Sequence, residues 1–241
     1  MKKQWILMAL VVGVMLVVMV SPALAGDEEG GGDEKKSMTW MDTIMASGVI
    51  GGVIILLSIV SLALTIEHFV SIRQDKLVPP EILGEIEVLF EDEEYEEAME
   101  LCEAEPSYFT NVVGAALPKM GSGYHAMMDA IADALDEEST KLHQKISYLS
   151  LISSVAPMMG LLGTVYGMII AFQKIAAAQG APEPAELASG ISLALVTTFE
   201  GLVVAIPTTG FYFFFRNKVI RIGMQVSTIV EDLFDRFRPT E

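Results

Sequence analysis

Residues 156–172 read APMMGLLGTVYGMIIAF, and residues 190–207 read GISLALVTTFEGLVVAIP. The first lies inside Ile146–Gln173, an uncharged run bounded by Lys145 and Lys174. The second lies inside Leu187–Phe215, where Glu200 is the one charged residue. Each run is apolar around the whole helix and exceeds the ~20 residues needed to cross a bilayer. A further run, Thr43–Ile66, covers 24 residues without a charge. These runs predict an all-α integral membrane protein with three transmembrane helices.

Composition agrees. The chain of 241 residues is 52% hydrophobic and 20% charged, with a mean hydropathy of +0.48; average soluble proteins carry about 25% charged residues. A net charge of −17 excludes a basic nucleic-acid-binding face. A single cysteine leaves no disulfide framework and no thiolate-rich metal site. His68, His125 and His143 are too far apart for a zinc hydrolase motif. No metal or other cofactor is therefore expected. With no nucleophile–base pair in view, neither is an enzyme. Three unlike spans show no inverted repeat, which argues against a stand-alone transporter.

Residues 1–25, MKKQWILMALVVGVMLVVMVSPALA, have a basic start at Lys2 and Lys3, an apolar core Trp5–Val20 and a small-residue end at Ala23-Leu24-Ala25. They read as a signal peptide cleaved after Ala25. An uncleaved anchor helix is the alternative, but Ser21-Pro22 breaks the helix where a peptidase needs extended chain. Loss of Lys2 and Lys3 takes the net charge from −17 to −19. The following 26–38 segment is glycine-rich and acidic, which predicts a disordered exported tail. Thr39-x-x-Asp42 resembles a helix start. Trp40, Met41, Ile44 and Met45 at helical spacing suit an interfacial helix leading into span one, together 39–73.

Arg73, Lys76, Lys141, Lys145, Arg216, Lys218 and Arg221 flank one side of the spans, and Lys35, Lys36 and Lys174 the other. The positive-inside bias puts the seven in the cytoplasm. Three spans after an exported N-terminus also leave the C-terminus inside. The rest of the chain divides into a cytoplasmic helical domain (74–145), spans two and three with a short periplasmic loop (146–215) and a cytoplasmic C-terminal helix (216–241). In the first of these, Glu81–Glu105 holds twelve acids and no Lys or Arg. Ile82, Leu83, Ile86, Leu89 and Phe90 predict an amphipathic helix there, and Tyr95, Ala98, Met99, Leu101 and Cys102 a second. The acids form a solvated face or a site for calcium or a cationic partner. The chain from Tyr124 continues without glycine or proline until Pro157, so helical extensions beyond the bilayer are expected; span three continues through 216–236, again without proline.

In span two, Gly160, Gly163 and Gly167 make a smooth face for close helix approach, expected to serve assembly of subunits. Pro157 and Pro207 free backbone carbonyls at usual sites of bending. Gly201 adds a small residue to span three. Thr164, Thr197 and Thr198 place hydroxyls within hydrocarbon, where each either bonds its own backbone or lines a path. At 100° per residue, Thr198 shares a face with Ala194, Leu195, Gly201, Leu202 and Ala205, while Glu200 lies on another with Leu193, Thr197 and Val204. Such separate faces suit a helix in a ring, one toward a lumen and one toward a neighbour. An intramembrane carboxylate is costly, by about 2.5–3.5 kcal/mol on an insertion scale, so Glu200 faces protein or water, or is neutral.

At these two stretches the sequence resembles the MotA/TolQ/ExbB proton-channel family. Its three-span, N-out order with a cytoplasmic helical insert is closer to ExbB and TolQ than to four-span members. The resemblance implies a homopentamer of a multi-pass bacterial inner-membrane protein whose spans two and three surround a lumen. A dimer of a single-span ExbD/TolR-type partner would occupy it and supply a proton-carrying aspartate. Thr164 and Thr198 match the family's pore threonines, and Pro157 the proline opening its span-two motif. ExbB-type proteins carry a glutamate where this chain has Leu193; here the acid stands at Glu200, two turns on. The implied function is a motor subunit that uses the proton motive force to move its partner, and a TonB-like envelope protein is a further possible partner. The alternative is a non-conducting scaffold clustering an envelope complex, with membrane lipid around it.

Overall fold

The computed structural model describes residues 48–177 and 184–238; the signal segment, the tail, the interfacial helix start and the 178–183 loop lie outside them. The described chain is helical throughout, with no strand. Three helices are long and apolar enough to cross a membrane. These are α1 (Gly48–Ser71), α6 (Tyr124–Ala177) and α7 (Pro184–Phe234). Between α1 and α6 come α2 (Gln74–Leu77), α3 (Pro80–Glu91), α4 (Tyr95–Ala104), α5 (Tyr108–Ala116) and a 3-10 turn, Leu117–Ser122. A second 3-10 turn, Asp235–Phe237, follows α7.

The expected extensions are present: α6 has 54 residues and α7 has 51, far beyond one bilayer thickness. Each helix runs through its proline, Pro157 and Pro207, as one element. The expected amphipathic helices correspond to α3 and α4. Pro80 occupies the first turn of α3, where a missing N–H costs nothing. Helix α5 has no counterpart in the sequence reading. Its start is a reciprocal cap, in which Ser107 Oγ accepts from Thr110 N–H and the Ser107 N–H donates to Thr110 Oγ1.

The described chain divides into two compact units. One joins Tyr212 onward to Thr65–Tyr148. Its core includes Ile86 and Phe90 of α3, Ala98 and Cys102 of α4, and Phe109, Val112 and Val113 of α5, all buried. Along α7 beyond Tyr212, buried Phe215, Val219, Ile222, Val226, Val230 and Phe234 repeat every three or four residues and make one apolar stripe. Phe90 meets Phe234 and Tyr95 edge-on at 5.3 and 5.5 Å. Arg236 donates to the Phe90 carbonyl and lies 5.8 Å over its ring. The acids of α3 and α4 are exposed on the outward faces of these helices.

The other unit holds residues 48–64 of α1 with Leu149–Phe211. Ile54, Ile152, Ala156, Val204 and Ala205 form its apolar centre, with Ile50, Leu57, Leu64 and Met159 against it. Ser61 and Thr208 hydroxyls hydrogen-bond at 2.7 Å in this unit, and Thr208 Oγ1 lies 2.7 Å from the Val204 carbonyl. Among the described residues of this unit, the buried side-chain oxygens without a hydrogen-bond partner are the two of Glu200, taken up next.

Candidate functional site: the seam between spans two and three

The seam is built from small residues. A methyl placed on Gly160 would come within 2.9 Å of the Thr197 carbonyl oxygen and 3.0 Å of Thr198 Cα. One on Gly163 would lie 2.6 Å from Thr197 Cβ, and one on Gly201 2.6 Å from the Ala156 carbonyl oxygen. A methyl on Gly167 would lie 3.2 Å from Ala194 Cβ and from the Gly190 carbonyl oxygen, and one on Gly190 2.8 Å from Ala171 Cβ. Only glycine allows backbones this near, which is the physical content of small-residue packing in membranes. The sequence reading gave Gly160, Gly163 and Gly167 to close helix approach; here the approaching helix is α7 of the same chain. Their face is therefore occupied before any second subunit arrives.

Two neighbouring threonines on α7 meet α6 at one carbonyl. Thr198 Oγ1 donates to Gly160 O at 3.2 Å. Thr197 Oγ1 donates to Ala194 O at 2.9 Å, with Gly160 O at 3.4 Å. The angular reading separated Thr197 from Thr198 and paired it with Glu200. Helix packing instead turns Thr197 into the seam, because the missing side chain of Gly163 leaves the space it fills. Thr197 is buried, and Thr198 half-buried. Thr164 bonds within its own helix, donating to Leu161 O at 2.6 Å. Around it Leu161, Leu162, Val165 and Tyr166 are exposed, as are Leu195, Phe199 and Leu202 on α7. Faces this apolar require lipid or further protein against them.

Glu200 stands apart. Both carboxylate oxygens are buried, and neither has a hydrogen-bond partner among the described residues. One turn on, Val204 packs into the apolar centre with Ile54. A carboxylate without donors is tolerable at this depth only as the neutral acid, or when another chain or water brings the missing partner. The side chain of Leu193, the expected counterpart position, lies outside the described residues.

Sequence reasoning overlooked span one, which it treated as a plain anchor. On α1, Ser58, Ser61, Thr65 and His68 are all buried. Their spacing of three, four and three puts them on one helical face. That spacing was the available signal, hidden because each residue alone is unremarkable in an apolar run.

Comparison with known proteins places this geometry in a class. The sequence profile of the MotA/TolQ/ExbB proton channel family matches residues 103–228, and the chain belongs to that family. Among individual relatives, it is 39% identical over 79 residues to the biopolymer transport protein exbB1 of Vibrio cholerae, 33% of this chain and 35% of that one. It is 37% identical over 108 residues to ExbB of Xanthomonas campestris, 45% of this chain and 42% of that one. To the Tol-Pal system protein TolQ of Haemophilus influenzae it is 33% identical over 105 residues, 44% and 42% of the two chains. The similarity thus spans less than half the length of each of these relatives.

Proposed function

We propose that this chain is the channel subunit of an ExbB–ExbD-like or TolQ–TolR-like energy transducer in a bacterial inner membrane. Ions descending the proton motive force pass at the interface between a ring of these subunits, five by family expectation, and a single-span partner dimer. Their passage moves the partner, which energises envelope transport or maintenance. The mature N-terminus is periplasmic and the C-terminus cytoplasmic, on the argument of loop charge. One charge crossing releases about 2.3 kcal/mol per 100 mV, enough to bias a shift between packed helices.

The observation that carries this reading is Glu200, whose two carboxyl oxygens are buried in a membrane helix with no hydrogen-bond partner among the described residues. A passive anchor gains nothing from it. Thr197 and Thr198, three and two residues earlier, supply hydroxyls already engaged with the neighbouring helix. The scaffold reading draws on a different fact: the hydroxyls of Thr164, Thr197 and Thr198 all end on backbone carbonyls, as structural threonines do. The two part at one experiment. The chain and its one-span partner are reconstituted in proteoliposomes, and ion flux is measured for wild type, Glu200→Gln and Thr198→Val. The transducer requires flux that Glu200→Gln abolishes and Thr198→Val reduces. Full flux in both variants would assign these side chains to structure.

A further inference from the structure

Span one covers one flank of the seam between α6 and α7 and leaves the other uncovered among the described residues. Ile54 of α1 shares an apolar centre with Ile152, Ala156 and Val204, and Ser61 bonds Thr208. Measured around α6 from Gly160, Ile152, Ala156 and Met159 lie about 40–100° to that side, and Ser150, Ser153, Ser154 and Thr164 about 20–120° to the opposite one. These four are every serine and threonine of α6 between Leu149 and Ala177. Around α7 from Gly201, Val204 and Thr208 lie about 20–60° toward span one, and Thr198 and Thr209 about 60–80° away from it. Gly201 meets Ala156 and Thr198 meets Gly160, so α6 and α7 run antiparallel and Thr209 comes level with the turn bearing Ser150. Hydroxyls from both helices therefore line one flank, from Thr164 and Thr198 to a level about one to two turns short of Lys145 and Arg216.

The chemistry of that flank is uniform. Ser153 and Ser154 both donate to the Ser150 carbonyl, at 2.8 and 3.0 Å, and Thr209 donates to the Ala205 carbonyl at 2.8 Å. Thr164 and Thr198 likewise donate to carbonyls. Each of these hydroxyls spends its one hydrogen on backbone and keeps lone pairs free to accept. Pro157, on the same flank, has no N–H to give the Ser153 carbonyl. Ser154 is exposed and the other hydroxyls are half-buried, so they do not serve the close packing that Gly160, Gly163 and Gly201 serve. Elsewhere the exposed surface of these spans is apolar, as at Leu162, Ile169, Phe199 and Ile206. Lipid chains carry no donors for a row of acceptors; water and hydrated cations satisfy it.

We propose that Ser153, Ser154 and Thr209 line the cytoplasmic outlet of the cation path, a water-filled flank of the seam that continues from Thr164 and Thr198. A hydrated cation passes along it from oxygen to oxygen, and no protein group gains or loses a proton. Glu200 lies on the span-one side of α7, about 100° from Gly201, and is not part of the outlet. This rests on the transducer reading given above.

Cysteine accessibility in the complex with the one-span partner tests it. Ser154→Cys and Thr209→Cys are made in a Cys102→Ala background, which removes the native thiol. Inverted membrane vesicles expose the cytoplasmic face to a cationic, membrane-impermeant methanethiosulfonate, which reacts with the thiolate and so needs a thiol in contact with water. Both cysteines react, and Leu56→Cys, on the exposed apolar face of α1, does not. The labelled complexes are reconstituted, proton and sodium flux are both recorded, and the one that wild type carries is lost on labelling. Ser154→Val, which deletes an acceptor at an exposed position, assembles and lowers that flux. Cysteines as unreactive as Leu56→Cys overturn the outlet, and so does unchanged flux after complete labelling. Unchanged flux after labelling beside lost flux in Glu200→Gln overturns the outlet alone. Flux blocked by the label but full in Glu200→Gln overturns the role given to Glu200 and leaves the outlet standing. A wild-type complex that carries neither ion overturns the transducer reading and the outlet with it.

Discussion

Gly163 of α6 faces Thr197 of α7 so closely that a methyl on the glycine would lie 2.6 Å from the threonine Cβ. The two helices meet here by the absence of a side chain on one and a short branched one on the other. Gly163→Ala must push them apart, with an overpacking cost of about 1–3 kcal/mol. Thermal unfolding in detergent should show the loss, and Gly201→Ala should show it too. Gly52→Ala, where a methyl meets nothing within 4 Å, is the control and should hold or raise the midpoint, since alanine is the better helix former.

Ser61 and Thr208 bond across α1 and α7 at 2.7 Å, deep in the apolar unit. Interhelical hydrogen bonds in membranes average about 0.6 kcal/mol and reach about 1.7. A cycle of Ser61→Ala, Thr208→Val and the double variant should return a coupling in that range. A coupling of zero would show that each hydroxyl is satisfied by its own helix after removal of the other.

Moving the intramembrane acid tests whether its exact level along span three matters. Position 193 lies seven residues before Glu200, roughly 10 Å along the axis and on the same side of the helix. Leu193→Glu combined with Glu200→Ile should restore part of the flux lost in Glu200→Gln. If the double variant assembles yet stays inactive, the two positions are not equivalent, and Glu200 acts through neighbours peculiar to its own level.

Cys102 is buried against α5, and burial pushes its thiol up from 9.0 to about 11. The neutral thiol is the stable form in the fold. Its contribution is therefore fully present below about pH 9 and is lost as pH rises through about 11. Maleimide labelling at neutral pH should run about two orders of magnitude slower than for a free thiol, and should recover on unfolding. Cys102→Ala should remove this part of the alkaline destabilisation. Rapid labelling of folded protein at neutral pH would contradict the burial.

Topology has its own test. Asp92→Cys, at the end of α3, should react with impermeant thiol reagents only after the membrane is opened. A cysteine in the 180–184 segment should react in intact cells from outside. Labelling of Asp92→Cys from outside would reverse the orientation.

Much of this was written in local sequence. Two uncharged runs and a third holding one acid, Glu200, determined three membrane helices, because backbone in hydrocarbon has no other way to satisfy itself over a single segment. The absence of proline between Tyr124 and Pro157 and between Phe215 and Arg236 gave the long extensions. Gly160, Gly163 and Gly167 showed by spacing that something packs closely on span two. That the something is span three of the same chain was a tertiary decision: a small face states how near a neighbour comes, not which neighbour it is. The same limit hid Thr197, whose direction depends on the space left by Gly163 rather than on its angle on an ideal helix. It hid His68 as well. A histidine near a helix end looks like any interfacial polar residue until Lys145 and Phe215, 77 and 147 positions away, close around it. Sequence fixes what each helix offers on each face; which faces meet depends on packing summed over the whole chain.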